Sequence, residues 1–147
     1  MRIHSSLIHK RMAHKNKTLA TALALVLGAL GAHRFYLHGP VDRVGLLHAS
    51  SLPIAALLYS KADGLHAFYA LLPILISSIA AFISALVIGL TPDDKWDARF
   101  NANSGRQSRS NWPLAILLVL TLLVGTTVLI GTISRLFDIM YTGGAYG

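Results

Sequence analysis

The chain has 147 residues, of which 54% are hydrophobic and 13% are charged, and its formal net charge at pH 7 is +7. A soluble domain usually carries about 25% charged residues, so this composition disfavours a globule in water. The chain contains no cysteine, which excludes disulfides, thiolate metal sites and cysteine nucleophiles. A basic excess in so apolar a chain indicates contact with anionic lipid headgroups rather than with nucleic acid.

Four uncharged apolar stretches follow a basic N-terminal tail, at residues 18–32, 44–60, 68–90 and 112–133. The last two have the roughly 20 residues that cross a hydrocarbon core of about 30 Å. The first two are shorter and reach that length only with flanking interfacial residues, so a half-membrane hairpin is the alternative for them. We predict an all-α membrane protein with four transmembrane helices arranged as two antiparallel hairpins.

The predicted organisation has four parts. Residues 1–14 form a basic cytoplasmic-type tail, 15–60 a first hairpin, 61–136 a second hairpin, and 137–147 a flexible tail. The polar segment 91–111 inside the second hairpin is typical of a flexible aqueous loop. Cleavage of the first stretch as a signal peptide is disfavoured because it would remove one arm of the first hairpin.

The four-crossing arrangement leaves the orientation almost balanced, because it puts seven Lys and Arg residues on one side and six on the other. The dense N-terminal tail favours an arrangement with both termini inside, in a bacterial inner membrane.

Small residues recur at i+4 spacing in the first and third stretches. In lipid, such a helix face lets two backbones approach closely. We expect these faces to pack within one four-helix bundle; an oligomer contact or a channel lining is the alternative. The helix-packing residues are Ala20, Ala24, Gly28 and Ala32 in the first stretch and Ser77, Ala81, Ala85 and Gly89 in the third.

A cationic and aromatic cluster between glycines follows the first stretch. We interpret it as a tight turn at the membrane interface, where Arg34 reaches headgroup phosphates and Phe35 and Tyr36 anchor the boundary. Arg34 and Asp42 can form an ion pair across this turn. The motif consists of Gly28, Gly31, His33, Arg34, Phe35, Tyr36, Leu37 and Gly39, with Gly45 at the start of the next stretch.

This motif resembles the TM-two domain family, the two-transmembrane-helix domain of many membrane proteins. The resemblance runs from about residue 15 to residue 60, roughly a third of the chain. The chain departs from the family pattern at His38, which separates Leu37 from Gly39, and at Pro40, where a basic residue is common. The resemblance implies a helical hairpin with the motif in its connecting loop, and no established enzymatic activity.

The titratable residues are poorly arranged for catalysis or ion relay. The chain has no glutamate, and all six aspartates lie outside the apolar stretches, whereas an intramembrane relay needs carboxylates within them. His48 lies inside an apolar stretch, and we interpret it as a neutral histidine hydrogen-bonded to another helix. We predict no catalytic, metal-ligating or cofactor-binding residue.

The sequence therefore predicts a non-enzymatic integral membrane protein that acts through helix-mediated assembly or interaction. Its expected partners are the lipid bilayer, with anionic headgroups near the basic tail, and a second copy or another membrane protein. Nucleic acid is not expected. The alternatives are a small channel or transporter subunit that assembles through the face at residues 77–89, and a histidine-dependent haem or metal binder.

Overall fold

The computed structural model describes residues 13–63 and 66–146, and all regular structure in these ranges is helical. Most of the predicted basic tail, residues 1–12, lies outside this part of the chain. In chain order the elements are α1 (Lys17–Leu27), a 3₁₀ turn (Gly28–Leu30), α2 (Ala32–His38), α3 (Arg43–Tyr59), α4 (His66–Leu90), α5 (Asp93–Trp96), a π-helical turn (Asp97–Asn101) and α6 (Trp112–Thr142).

Short polar residues define the starts of three helices. The side chain of Asn16 accepts a hydrogen bond from the backbone N–H of Leu19, and that of Asn111 accepts one from Leu114. Asp42 accepts one from the N–H of Gly45 at 2.7 Å. Each bond satisfies an N–H group that has no partner within its own helix, so these residues fix where α1, α6 and α3 begin.

Two helices are long and apolar enough to cross a membrane, α4 over Ala67–Leu90 and α6 over Trp112–Thr142. The other two predicted spans form shorter apolar helices, over Lys17–Leu30 and Arg43–Tyr59. Within the most apolar 18-residue stretch of each helix, only 17% of the stretch is buried in α4 and only 11% in α6. Their large apolar side chains point outward, as in a helix that faces lipid.

The helix α4 is central and contacts α1, α3 and α6. The Lys17 ammonium donates to the Thr91 carbonyl just beyond the end of α4, at 2.9 Å. Gly28, eleven residues further along the chain, lies against Ala81 in the middle of α4. The helix α1 therefore runs antiparallel to the C-terminal half of α4.

The helix α3 covers the other half of α4. His48 contacts Ser77 at 2.7 Å, and Ile54 shares a groove with Pro73. Contacts thus move toward the start of α4 as residue numbers rise along α3, as they do along α1. Both helices run antiparallel to α4 and parallel to each other, and they have little mutual contact. This differs from the predicted first hairpin, in which they would lie side by side.

The reversal that separates these two helices occurs at Gly31, and α2 folds back beside α1. Gly31 has φ = 77°, a left-handed conformation that favours glycine. A β-carbon at Gly31 would lie 2.5 Å from the carbonyl oxygen of Gly45, so the two chain segments touch there. The motif at residues 32–38 is consequently a short helix, whereas the resemblance implied a connecting loop.

The helix α6 packs antiparallel on α4, with Leu118 beside Gly89 and Gly125 beside Phe82. The connecting segment 91–111 is more ordered than its composition indicates. It contains α5 and the π-helical turn, and it buries Trp96 and Asn101. The helix α6 continues to Thr142, nine residues beyond the predicted apolar stretch, so part of the predicted flexible tail at residues 137–147 is helical.

Candidate functional site

The glycines of the motif lie where chain segments come closest. A β-carbon at Gly28 would overlap that of Ala81, and one at Gly45 would lie 2.6 Å from the Phe35 ring. Gly39 has φ = 93° and no neighbour within 4 Å, so it is required by its backbone conformation alone. The phenyl ring of Phe35 is therefore packed against α3.

Arg34 and Asp42 form the ion pair that the sequence predicts. Two guanidinium nitrogens of Arg34 donate to the two carboxylate oxygens of Asp42, at 2.9 and 3.0 Å. Both side chains are partly buried. Because Asp42 also accepts the hydrogen bond that begins α3, this pair joins α2 to the start of α3.

The C-terminal end of α2 is bound by the residues that precede α1. The Lys15 ammonium donates to the carbonyl oxygens of Tyr36 and Leu37, at 2.6 and 2.9 Å. The Tyr36 hydroxyl accepts a hydrogen bond from the N–H of Asn16 at 2.8 Å. A cation at the end of a helix satisfies carbonyls that have no partner within the helix. Lys15 therefore fixes α2 against α1.

The segment 91–111 encloses residues 14–18, and we call this contact the N-terminal clamp. The Trp96 indole and the Asn101 amide both donate to the Lys15 carbonyl, at 3.1 Å each. His14 lies 3.2 Å from the Ser104 hydroxyl. Residues 14–18 and the segment 91–111 therefore share one end of the bundle, whereas the four-crossing prediction put them on opposite sides of the membrane.

The centre of the N-terminal clamp is a buried lysine. Lys17 is 4% exposed, forms an ion pair with Asp93, and donates to Thr91 and to the Ser110 hydroxyl. Burial alone would raise the pKa of Asp93, but hydrogen bonds from Lys17 and Ser110 outweigh it and lower the pKa below its usual value. Lys17 thus ties the start of α1 to both ends of the segment 91–111.

The small-residue faces lie inside the described bundle. Ala20, Ala24, Ala81 and Ala85 are each at most 1% exposed. Gly89 lies against Leu118 of α6, and Ser77 contacts the break between α1 and α2. The face of α4 that the channel alternative requires is therefore covered by α1, α3 and α6.

Residues 13–59 match the family model of the TM2 domain. The match confirms the resemblance to the TM-two family. No curated protein and no solved structure matches the chain. The TM2 segment (residues 13–59) comprises α1, α2 and α3, and the helix α4 against which α1 and α3 pack lies outside it.

A buried polar cluster lies where the TM2 segment breaks. The Ser77 hydroxyl donates at 2.7 Å to the carbonyl of Ala29, where the helix changes to a 3₁₀ turn. His48 Nδ1 lies 2.7 Å from the same hydroxyl, so this nitrogen must be the donor. His48 is hydrogen-bonded to another helix, as the sequence predicts.

His33 lies next to this cluster and is 1% exposed. Its ring centroid is 5.6 Å from that of His48, and neither of its ring nitrogens has a hydrogen-bond partner. Within the two described ranges there is no group of three side chains that could hold a metal ion.

Sequence reasoning missed the functions of Lys15, Lys17, Asp93 and Asn101. We assigned the lysines to the basic flank of the first stretch and the other two to a solvated loop. The partners of Lys17 are 74 to 93 residues away along the chain, so no local spacing indicates them.

Proposed function

We propose that this chain is a non-enzymatic multi-pass membrane protein that works through helix contacts within the bilayer. The supporting observation is the distribution of its side chains, which is the reverse of that in a soluble bundle. Val119 and Leu123 of α6 are each 65% exposed, while Thr21 and Thr121 are fully buried. Large apolar groups on the outside and small or polar groups at helix contacts are what lipid favours.

The carboxylates of the described residues support a role without catalysis. Asp42 is paired with Arg34, Asp93 with Lys17, and Asp138 with Arg135. Asp97 accepts hydrogen bonds from Ser108 and Asn101. Asp42, Asp93 and Asp97 join separate chain segments, and Asp138 pairs within α6. A general base would instead need a lone pair directed at a substrate.

The topology we propose has three crossings rather than four. The helices α4 and α6 each cross once, and residues 17–59 together cross once as a broken path. The order of contacts along α4 supports this path, because α1 covers the half near Leu90 and α3 covers the half near His66. The N-terminus and the segment 91–111 then share one face, and the C-terminus lies on the other.

Charge supports one orientation of this topology. Nine of the 13 Lys and Arg residues fall in residues 1–17 and 91–111. Lys61 and Arg135 are the basic residues near the opposite face. A strong excess of Lys and Arg marks the cytoplasmic side, so we propose that the N-terminus is inside and the C-terminus outside. The expectation of two inside termini rested on the dense N-terminal tail together with an even number of crossings.

Single-cysteine labelling in sealed membrane vesicles tests this topology, since the chain has no native cysteine. The substitutions are Ala13→Cys, Ser60→Cys, Ala102→Cys and Ala145→Cys, all at exposed positions. We expect an impermeant maleimide to label positions 13 and 102 from one side and positions 60 and 145 from the other. If positions 13 and 60 were instead labelled from the same side, the result would support four crossings.

The uncovered face of α6 is the surface we propose for assembly with another copy. Oxidative cross-linking of Leu123→Cys in vesicles is expected to give a dimer. Thr121→Cys, whose position is fully buried, is the matched control and is expected to stay monomeric. If the two variants cross-link to the same extent, lipid rather than a second copy covers this face.

A further inference from the structure

A cavity of about 200 Å³ lies between α2, the Leu90 half of α4 and the π-helical turn. It is separate from the ion pairs of the N-terminal clamp. The polar part of its wall comes from His33, Arg34, His38, Ser84, Thr91 and Arg99. Trp96 and Phe100 form an aromatic side. The cavity lies at the end of the bundle that carries Lys17 and Asp93, where a membrane-embedded chain meets the headgroup layer.

The unpaired positive charge in the wall of this cavity is that of Arg99, because Arg34 is paired with Asp42. Asp42, which pairs with Arg34, does not line the cavity. Arg99 has no ion-pair partner among the described residues, and its guanidinium lies 5.2 Å from the centre of the Phe100 ring. An anion that accepts hydrogen bonds is the complement of such a wall, and arginine suits phosphate oxygens in particular.

His33 supplies an independent indication of a ligand. Its side chain belongs to the cavity wall, is 1% exposed, and has no hydrogen-bond partner at either ring nitrogen. A neutral imidazole always carries one N–H donor, and leaving it unpaired in a buried place is costly. The two nitrogens are almost inaccessible from the cavity as the ring stands, so an acceptor oxygen there would remove that cost only with a rotation of the imidazole.

The apolar part of the wall indicates a lipid as the source of the anion. Ile83 and Val87 of α4 line the cavity and are 58% and 63% exposed, so the wall continues onto the outer face of α4. We propose that this cavity binds the phosphate of an anionic glycerophospholipid, with Arg99, Arg34 and His33 as donors and an acyl chain along Ile83 and Val87. The inference rests on the proposed membrane location of the bundle.

The test is a titration of the purified full chain in neutral detergent, read by Trp96 fluorescence. Trp96 lies in the cavity wall, and Trp112→Phe removes the other, 75% exposed tryptophan. The probes are short-chain phosphatidylglycerol, diacylglycerol and inorganic phosphate. We expect saturable binding of phosphatidylglycerol, with little response to diacylglycerol. Equal responses to these two lipids would overturn recognition of phosphate.

Substitutions locate the binding site. Arg99→Gln is expected to weaken phosphatidylglycerol binding by about 10-fold, the loss of one charge-assisted hydrogen bond. Arg106→Gln removes the same charge outside the cavity and is expected to change binding by less than about 2-fold. His33→Gln, which keeps an N–H donor, is expected to bind better than His33→Leu. Equal effects of Arg99→Gln and Arg106→Gln would overturn the assignment to this cavity.

The source of the phosphate is decided by the third probe. Inorganic phosphate that binds as tightly as phosphatidylglycerol would overturn the lipid assignment. The titration is independent of vesicle orientation, so the topology labelling can fail while the lipid site stands, and the reverse also holds.

Discussion

The side-chain amide of Asn101 pairs with both backbone polar groups of Lys15. Its Oδ1 accepts from the Lys15 N–H at 2.7 Å, and its Nδ2 donates to the Lys15 carbonyl at 3.1 Å. This reciprocal pair has the donor and acceptor pattern that a neighbouring β-strand would offer. A chain segment without regular structure is thereby held against a turn 86 residues further on.

Loss of this amide should loosen the N-terminal clamp. Asn101→Ala leaves the Lys15 N–H without its acceptor, which we expect to cost about 1–3 kcal/mol. Amide hydrogen exchange at Lys15 and Asn16 should become faster. Asn103→Ala, at an exposed position in the same segment, is the control and should leave exchange unchanged. Unaltered exchange in Asn101→Ala would mean that the contacts of Lys15 with Trp96 and α2 hold this segment without Asn101.

Removal of the buried lysine should release the segment 91–111. Lys17→Met leaves the Asp93 carboxylate without its cation, and we expect the free energy of unfolding to fall by about 2–3 kcal/mol. Trypsin cleavage after Arg106 and Arg109 reports the release. Lys95→Met removes an exposed charge from the same segment and should change neither quantity. Adding Asp93→Asn to Lys17→Met should recover part of the loss.

The N-terminal clamp should weaken in acid. Hydrogen bonds lower the pKa of Asp93 and of Asp97 in the fold despite the opposing effect of burial. A lowered folded-state pKa contributes stability that is present above the unfolded value of about 3.9 and is lost as the pH falls below it. Trp96 fluorescence in a Trp112→Phe background should stay constant from pH 7 to about pH 5 and change below about pH 4. A change centred near pH 6 would point to a histidine instead.

The close contact of Gly28 with Ala81 of α4 can be tested by moving the methyl group from one residue to the other. Gly28→Ala should destabilise the chain by about 1–3 kcal/mol, because the added β-carbon overlaps that of Ala81. Ala81→Gly in the same chain removes the obstacle and should restore most of the loss, apart from the roughly 1 kcal/mol that glycine costs within a helix. Thermal unfolding in detergent measures both variants. Additive losses would show that the two residues do not meet.

Gly31 should tolerate no side chain. Gly31→Ala combines a left-handed backbone with an overlap on the Gly45 carbonyl, and we expect it to cost about 3 kcal/mol or more. Gly131→Ala is the matched control, since it lies within α6 with no neighbour inside 4 Å and should be neutral or slightly stabilising. Circular dichroism melting curves in detergent compare the two.

The sequence predicts those parts of the fold that depend on one helix at a time. The start of α6 at Trp112 and the end of α4 at Leu90 follow directly from apolar length. The small-residue spacing identifies the buried faces of α1 and α4, because in lipid only small side chains allow close backbones.

Arrangements that depend on distant partners are not visible in the sequence. The glycine spacing indicates a close approach at Gly31 but not that Gly45 is the neighbour. Asn, Ser and Asp residues in the segment 91–111 have the same composition whether they are solvated or hydrogen-bonded to another segment, so order there could not be predicted. The cavity beside His33 likewise requires α2 to fold back, which no local pattern specifies.

The head-to-tail placement of α1 and α3 along α4 has a consequence for biosynthesis. The TM2 segment leaves the ribosome before α4 does, and in isolation its helices α1, α2 and α3 lack the surface that places α1 and α3 head to tail. Its packing must therefore wait until the later helix has been made and inserted. A ribosome stalled before residue 90 should hold a nascent chain in which α1 and α3 are not yet aligned with each other, and an excised TM2 segment should lack the same alignment.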